Sequence, residues 1–308
     1  MLPRRVLVTG ANGLVGRELV ERLGASPEYD VLATGQDVEP RFETASVGYT
    51  ALDVTDAGAV GRLFQDFAPD TVVNLAAMTN VDCCETERDR CWAVNATAVE
   101  TLAKHCLRTG ARLVQVSTDF VFDGLSDTLY REDDRPAPVN YYAKAKLAGE
   151  NAARGAGLDR WAVARTALVF GRPMPDGRSN FVLWVRDRLQ RGEITTVVTD
   201  QWRTPSYAPD VAAGLERLVR FSKTGLFHIA GREYLSVFDF AVRVARAYGL
   251  DEALLVPTDG TKFRQTAARP PRTGLLILRA ETELGYHPRS LDEALQHLDG
   301  RLREVTRG

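Results

Sequence analysis

The chain has 308 residues, 44% hydrophobic and 26% charged, with a formal net charge of -2. That is enough for one large domain or two closely joined ones with a real core. The near-neutral balance excludes electrostatic capture of nucleic acid or of an acidic membrane, and no apolar run approaches a membrane span.

Met1-Leu-Pro-Arg-Arg5 leads straight into a short strand and lacks the apolar run of a signal peptide, so a cytoplasmic protein is expected. Val6–Thr9 reads as a buried strand that runs into Gly10, Gly13 and Gly16, while Leu14, Leu19, Val20 and Leu23 recur at helical spacing. Val31–Thr34 and Tyr49–Leu52 read as the second and third strands, with Asp53 ending the third. Asp56 is placed to cap a helix carrying Val60, Leu63, Phe64 and Phe67. Thr71–Ala77 is a further strand, followed by one long helix with Trp92, Val99, Leu102 and Cys106 turned inward. Arg112–Ser117 and Trp161–Thr166 are the fifth and sixth strands. Strands separated by helices require crossovers, hence a parallel sheet wound on both faces.

After Thr166 the rhythm loosens. Gly171–Asn180, rich in Gly, Pro and charge, reads as a mobile loop. A helix runs from Phe181 to about Arg191, then a strand over Ile194–Val198. Pro209-Asp210 opens a helix with Val211, Leu215, Leu218 and Val219 on one face, and Ser236 with Asp239 forms a capping-box variant before Phe240, Val244 and Ala247. The expected architecture is α/β: a Rossmann doubly wound parallel sheet with a smaller C-terminal α/β substrate lobe. Residues 1–166 with about 205–232 would form the dinucleotide-binding domain, and 167–204 with 233–308 the lobe over the C-terminal edge of the sheet, where open α/β sheets bind ligands. The four cysteines, Cys83, Cys84, Cys91 and Cys106, lack C-x-x-C spacing and a histidine at ligand distance, so no metal site is expected. Reduced cysteines near a helix are expected instead, with Cys83 and Cys84 close to the cofactor cleft.

Three constellations carry chemistry. The strand–G-x-x-G-x-x-G–helix unit sets bare backbone N–H groups and a helix N-terminus against a pyrophosphate. Gly10 permits the tight turn, Gly13 lets the backbone approach phosphate, and Gly16 lets the helix pack on the strand. Next, the fifth strand ends in Ser117, Thr118 and Asp119, so hydroxyls meet the ligand crevice and can donate to a carbonyl oxygen as charge builds there. Last, Tyr142 and Lys146 lie four apart on one helix face, where the ammonium is expected to lower the phenol pKa. Such a phenol can exchange a proton with a substrate oxygen. Each feature alone is common; their conjunction and order are not.

On these residues the chain resembles the extended short-chain dehydrogenase/reductase superfamily, and within it the dTDP-4-dehydrorhamnose reductase family. The motifs are VTGANGLVG (8–16), NLAAMTNVD (74–82), STDFVFDG (117–124), YAKAKLAGE (142–150), DQWRTPS (200–206) and AARPPRT (267–273). The resemblance implies Tyr142 as general acid and Lys146 as its electrostatic partner, which also binds ribose hydroxyls. It implies that Thr118 holds the reacting oxygen, with Asp119 alongside. The cofactor would lie along Gly10, Asn12, Gly13, Leu14, Val15 and Gly16, past Gly35 and Gln36. Asp53 and Val54 would sit near adenine, and Leu75, Ala76, Ala77 and Thr79 along the dinucleotide, supported by Asn95. Asn180, Gln201 and Arg269 are implied on the nucleotide-sugar side, where an arginine can grip diphosphate bidentately.

One departure bears on the sugar. Dehydrorhamnose reductases read like RTSWVY after the sixth strand, with the Trp lining the sugar pocket; here the segment is Arg165-Thr-Ala-Leu-Val-Phe170, with Leu168 at the Trp position. At the end of the second strand Thr34-Gly35-Gln36 leaves room for a 2′-phosphate, to which Arg41 could contribute, whereas Asp37 argues for ribose hydroxyls. NADP(H) is therefore favoured slightly over NAD(H). The expected activity is NAD(P)H-dependent reduction of a nucleotide-linked 4-keto-6-deoxy sugar, with a homodimer compatible with the chain. The alternatives are a dinucleotide-binding regulatory subunit, resembling the β subunit of methionine adenosyltransferase, and a nucleotide-sugar epimerase. A dehydratase would carry Asp-Glu after the hydroxyl, where this chain has Asp119-Phe120.

Overall fold

The computed structural model describes residues 2–42, 46–174, 177, 179–262 and 265–305. The first six strands are β1 (Arg4–Thr9), β2 (Tyr29–Gly35), β3 (Gly48–Ala51), β4 (Thr71–Asn74), β5 (Arg112–Thr118) and β6 (Trp161–Thr166). Between and after them lie α1 (Leu14–Gly24), α2 (Ala57–Phe67), α3 (Val81–Thr86), α4 (Arg88–Trp92), α5 (Ala98–Thr109) and α6 (Tyr141–Gly155). The chain continues through β7 (Val169–Phe170), α7 (Phe181–Gln190), β8 (Thr195–Val198), β9 (Trp202–Arg203), β10 (Ser206–Tyr207), α8 (Ala208–Phe221) and β11 (Gly225–His228). It closes with β12 (Leu235–Ser236), α9 (Val237–Ala247), β13 (Leu255–Thr258), α10 (Leu278–Leu284) and α11 (Leu291–Val305).

Seven strands form one parallel sheet in the order β11-β6-β5-β4-β1-β2-β3. The order reverses between β1 and β4, which opens a crevice at their C-terminal ends. Alternating side chains of β1 explain the double winding: Val6 and Val8 join the core beneath α1 and α8, whereas Leu7 joins the core beneath α2 and α5. A third cluster gathers α7, α9 and α11 around Phe170, Tyr207 and Phe240. The seventh strand, β11, lies in a stretch whose helical neighbours hid its period.

Local signals explain most boundaries. Asp56 caps α2 by accepting from the Gly58 and Ala59 N–H groups, and Ser236 caps α9 while donating to Asp239. The expected strand over Thr71–Ala77 ends at Asn74; the Leu75 N makes one last bond to the Thr9 O, and the chain then passes over Gly10, close to the Ala76 N. The expected single helix after it is broken. Glu87 has a non-helical backbone between α3 and α4, and a π-helical turn spans Ala93–Thr97. Val99, Leu102 and Cys106 are buried as expected, but Trp92 is 41% exposed, since the π turn rotates it away from the core. Of the segment read as a mobile loop, Pro175, Asp176 and Arg178 lie outside the described residues.

Helix α6 is fixed by a fully buried ion pair. Arg165 of β6 donates to both carboxylate oxygens of Glu150, at 2.9 and 2.8 Å, with its guanidinium over the Phe122 ring. Removing one partner of such a pair strands the other in low dielectric. Glu150→Gln is expected to destabilise the fold by about 3–5 kcal/mol, read as a lowered urea midpoint; an unchanged midpoint would show that the pair holds nothing.

Candidate functional site

The glycine turn is built to be bare. Gly10 has φ +66°, and a Cβ there would stand 2.6 Å from the Ala76 N; a Cβ on Gly16 would stand 2.3 Å from the Gly10 O. Gly10, Gly13, Leu14, Val15 and Gly16 form one wall of a groove of about 420 Å³. Leu75, Ala77 and Thr79 continue it beyond β4, and Ser117, Thr118 and Thr166, at the C-terminal ends of β5 and β6, close its floor.

Beneath this floor a polar chain crosses three neighbouring strands, β1, β4 and β5. Thr9 donates to Asn74 (2.5 Å), Asn74 to Gln115 (2.6 Å), and Gln115 to the Val116 O (2.7 Å). All three side chains are buried, and sequence reasoning missed them. Their signal was a polar residue ending β1 and β4, at Thr9 and Asn74, and a glutamine inside the otherwise apolar run of β5. Asn95, buried in the π turn, accepts from the Met78 N and donates to the Met78 O, so it holds the segment that delivers Thr79.

Several implied cofactor residues stand back from the groove. The Asn12 amide donates to Asp37 (2.8 Å) and the Tyr49 hydroxyl, and its oxygen accepts from the Arg41 N. It therefore ties the turn beyond β2 to the glycine loop. Gly35 lies under this amide, where a Cβ would approach Asn12 Nδ2 to 3.2 Å. Asp53 accepts from the Thr55 N and hydroxyl, which holds its carboxyl below the ordinary range; Gln36 is its other partner. Val54 is buried in the α2/α5 core, and Ala76 packs on that core.

A second cleft, about 520 Å³, adjoins the groove and shares Thr79, Thr118, Asp119, Tyr142 and Leu168 with it. Phe181 and Trp184 of α7, Val197 and Val198 of β8, and Val237 make an apolar wall; Thr196, Gln201, Arg203, Gln265 and Arg269 add polar groups. Asn180, expected on this side, instead lines the groove. It caps α7 by accepting from the Leu183 N and donates to the Gly171 O. Arg269 is already engaged, with Nη2 2.8 Å from Asp82 Oδ2 of α3.

Tyr142 sits where the two spaces meet. Burial pushes its phenol above the ordinary value, and the hydrogen bond with Thr118 only partly offsets this. The expected lowering by Lys146 is not seen, because Lys146 Nζ turns to the Val116 O at 2.8 Å. Burial pulls the Lys146 ammonium down to about 8, opposed by Glu150 one turn on. Thr118 Oγ1 accepts from the Phe120 N (3.2 Å) and lies 3.1 Å from Asp119 Oδ1. Asp119 is buried, which raises its carboxyl despite Arg203 at 3.7 Å and a hydrogen bond from Thr273.

Arg203 and Thr273 were not singled out, although both lie in motifs that were. Arg203 donates to the Pro270 and Pro271 carbonyls, and Asn140, the cap of α6, to the Ala268 O. Residues 267–273 are thus a strap whose successive groups hold α3, α6, Arg203 and Asp119 around the cleft. Among the described residues, no group of three or more His, Cys, Asp or Glu is arranged for a metal ion, and no helix is long and apolar enough to cross a membrane.

The groove fits a dinucleotide. Its glycine wall leaves backbone where a Cβ would clash, the N-terminus of α1 opens onto it, and the Ser117 and Thr166 hydroxyls in its floor are buried without a protein partner. Comparison with known proteins agrees. The chain is 37% identical over 300 residues to the dTDP-4-dehydrorhamnose reductase of Mycolicibacterium smegmatis, covering 96% of this chain and 85% of that one. It is 34% identical over 293 residues to the probable low-salt glycan biosynthesis reductase Agl14 of Haloferax volcanii, covering 95% and 96%. Among solved structures, dTDP-4-dehydrorhamnose reductase from Bacillus anthracis in complex with NADP superposes with a TM-score of 0.86 at 28% identity, covering 97% of this chain and 99% of that one. With the match of residues 4–303 to the RmlD substrate binding domain family, the chain belongs to that family.

Proposed function

We propose that groove and cleft are two halves of one active site, where a reduced nicotinamide meets the keto carbon of a nucleotide-linked 4-keto-6-deoxy sugar. The observation that carries this reading is that Thr118 and Tyr142 line both spaces. The protein is an NAD(P)H-dependent oxidoreductase acting on a keto group, and its substrate is a nucleotide sugar. When bound, the reduced cofactor supplies the hydride.

The protein's own residues supply the rest. The backbone at Gly10, Gly13 and Gly16 and the start of α1 bind the pyrophosphate, and Lys146 binds ribose hydroxyls. The Asp37 carboxylate is engaged by Asn12 and by Arg41 at 2.7 Å, which weakens its claim on ribose hydroxyls and favours NADP(H), with NAD(H) also accepted. Thr118 turns its single proton from Asp119 or the phenol to the substrate oxygen. Tyr142, kept protonated by burial, delivers the proton as charge builds there. Gln201 and Arg269 bind the nucleotide side, Arg269 exchanging Asp82 for diphosphate. The lobe of 167–204 and 233–308 supplies the apolar wall, in support of which the third core cluster draws on both segments.

The test is oxidation of NADPH by the purified protein with dTDP- or GDP-linked 4-keto-6-deoxy sugars; no turnover with any of them would sink the reading. Tyr142→Phe is expected to lower kcat by about 10²–10⁴-fold while cofactor affinity stays within a few-fold. Turnover equal to wild type would remove the phenol from the reaction. Lys146 is charged below its value of about 8 and neutral above it, so kcat/KM for NADPH should be level up to about pH 8 and fall beyond it. A profile still level two units higher would assign that role elsewhere.

A further inference from the structure

Two arginines line the cleft, and each faces a carboxylate. Arg269 meets Asp82, whose side chain is 42% exposed, so that pair can open for a ligand. Arg203 meets Asp119 where the two side chains are only 4% and 3% exposed. The remaining Arg203 donors are engaged by backbone: Nη1 by the Trp202 and Pro271 carbonyls, Nη2 by the Pro270 carbonyl. Nε lies 3.7 Å from Asp119 Oδ2, and the guanidinium stands over the Phe120 ring at 5.1 Å. Arg203 is therefore not free to grip diphosphate, and its charge stays in the wall.

Asp119, which it faces, lines both groove and cleft. Asp119 Oδ2 accepts from the Thr273 hydroxyl, and Oδ1 accepts from the Thr118 hydroxyl at 3.1 Å. An ionised carboxylate accepts only, so it suits two donated hydroxyl bonds and a guanidinium. A protonated Asp119 would donate through one oxygen and forfeit one of those bonds. Burial by itself favours that neutral acid.

Ionised Asp119 has a cost during reduction. As hydride reaches the keto carbon, the carbonyl π pair moves to the oxygen, where negative charge builds until Tyr142 delivers its proton. An oxygen bound by Thr118 is one hydrogen bond from that hydroxyl and two from Asp119. Two unit negative charges about 6 Å apart, at an effective dielectric of about 20, oppose one another by about 100-fold in rate.

We propose that Arg203 is a positioning residue that keeps Asp119 ionised and cancels its charge, so that Asp119 orients the Thr118 hydroxyl without repelling the substrate oxyanion. The inference rests on the reading of groove and cleft as one reductase site. The charged and titratable groups facing the pair are Tyr142 beside Asp119, and Tyr234 and Arg269 beside Arg203. Removing the Arg203 cation leaves Asp119 buried without its counter-charge, which raises its carboxyl further. Below that raised value Asp119 is protonated and the local charge is zero, as in the wild-type pair. Above it the carboxylate is bare and opposes the oxyanion. A variant without the cation should therefore lose rate as pH rises.

The experiment compares wild type, Arg203→Gln, Arg203→Lys and the double variant Arg203→Gln/Asp119→Asn, with NADPH and a nucleotide-linked 4-keto-6-deoxy sugar. Glutamine keeps a donor for the strap carbonyls and drops the charge. The kcat of each is read from about pH 6 to about pH 9. Relative to wild type, Arg203→Gln should fall by roughly 10- to 100-fold toward the alkaline end. The double variant should recover most of that loss, and Arg203→Lys should stay nearer to wild type than Arg203→Gln does. An equal loss at every pH that Asp119→Asn does not relieve would reduce Arg203 to a brace of the strap and overturn the proposal. Wild-type kcat in Arg203→Gln would also overturn it. Should Arg203→Gln not fold, wild type carries its own test. With isotope-labelled aspartate read by carbon NMR, and the Asp119 signal assigned by its loss in Asp119→Asn, Asp119 should stay ionised over that pH range. A titration of Asp119 inside the range overturns the proposal. The spectrum needs no turnover, so this failure is distinct from failure of the reductase reading.

Discussion

The buried pair of Glu150 and Arg165 is the contact on which the reacting end of the molecule depends. Tyr142, Lys146 and Glu150 stand one turn apart on the inner face of α6; Lys146 donates a single bond to the β5 backbone, and Glu150 grips the β6 arginine with both oxygens. Fixing Glu150 to β6 fixes the rotation of α6, and with it where the phenol and ammonium point. Arg165 pairs with Ser117 in the β5–β6 register, and Thr118 with Thr166. The anchor is therefore one step along the strands from the Thr118 hydroxyl, which hydrogen-bonds to the phenol. Burying an ion pair seldom adds net stability. Its worth here is directional, because a fork of two hydrogen bonds sets an angle that apolar packing would leave loose.

The opposite side of the site is held by backbone rather than by charge. Residues 267–273 have no helix or strand of their own, yet nearly every residue is tied: Ala267 to Asp82, Ala268 to Asn140, Pro270 and Pro271 to Arg203, Thr273 to Asp119. Two prolines suit such a strap, since they stiffen the chain and leave its carbonyls as acceptors. Arg203 satisfies those carbonyls and faces Asp119, so strap and hydroxyl network share one guanidinium. Asp82 and Arg269 close the same ring toward α3.

What could be read from sequence, and what could not, follows from range. The glycine turn, the α2 and α9 caps and the Tyr142/Lys146 face are encoded within a few residues, and each stands as expected. Trp92 was placed inward because helical period assumes an unbroken helix, and one π turn changes the phase. Asn12 sits inside the glycine motif, but its amide serves the turn 25 residues on, a contact no local pattern contains. Arg203 and Thr273 reach Asp119 across 84 and 154 residues, so their roles are visible only after folding. The expected drop in the Tyr142 pKa failed for a different reason: spacing places Lys146 near, but not where its ammonium turns.

Leu168 brings these lines together. Three described residues other than glycine have positive φ: Ala68, Leu168 and Ser222. Ala68 and Ser222 end α2 and α8, where a left-handed residue is an ordinary stop. Leu168 ends no helix, at φ +40°, and a branched side chain held there costs about 1–3 kcal/mol. It persists because both flanks are held: Thr166 pairs into the sheet, Val169 and Phe170 pair with β10, and the Leu168 O accepts from the Ser206 N. The strained residue is also one that lines both groove and cleft. Its backbone turns the chain from the sheet into the lobe, and its side chain closes the apolar wall beside the reacting groups. A Trp there would fill the same wall with a flat ring and an N–H donor. A leucine offers neither, so that side of the cleft presents shape and apolar contact alone, and the polar groups facing it are Thr118, Tyr142, Gln201 and Arg269.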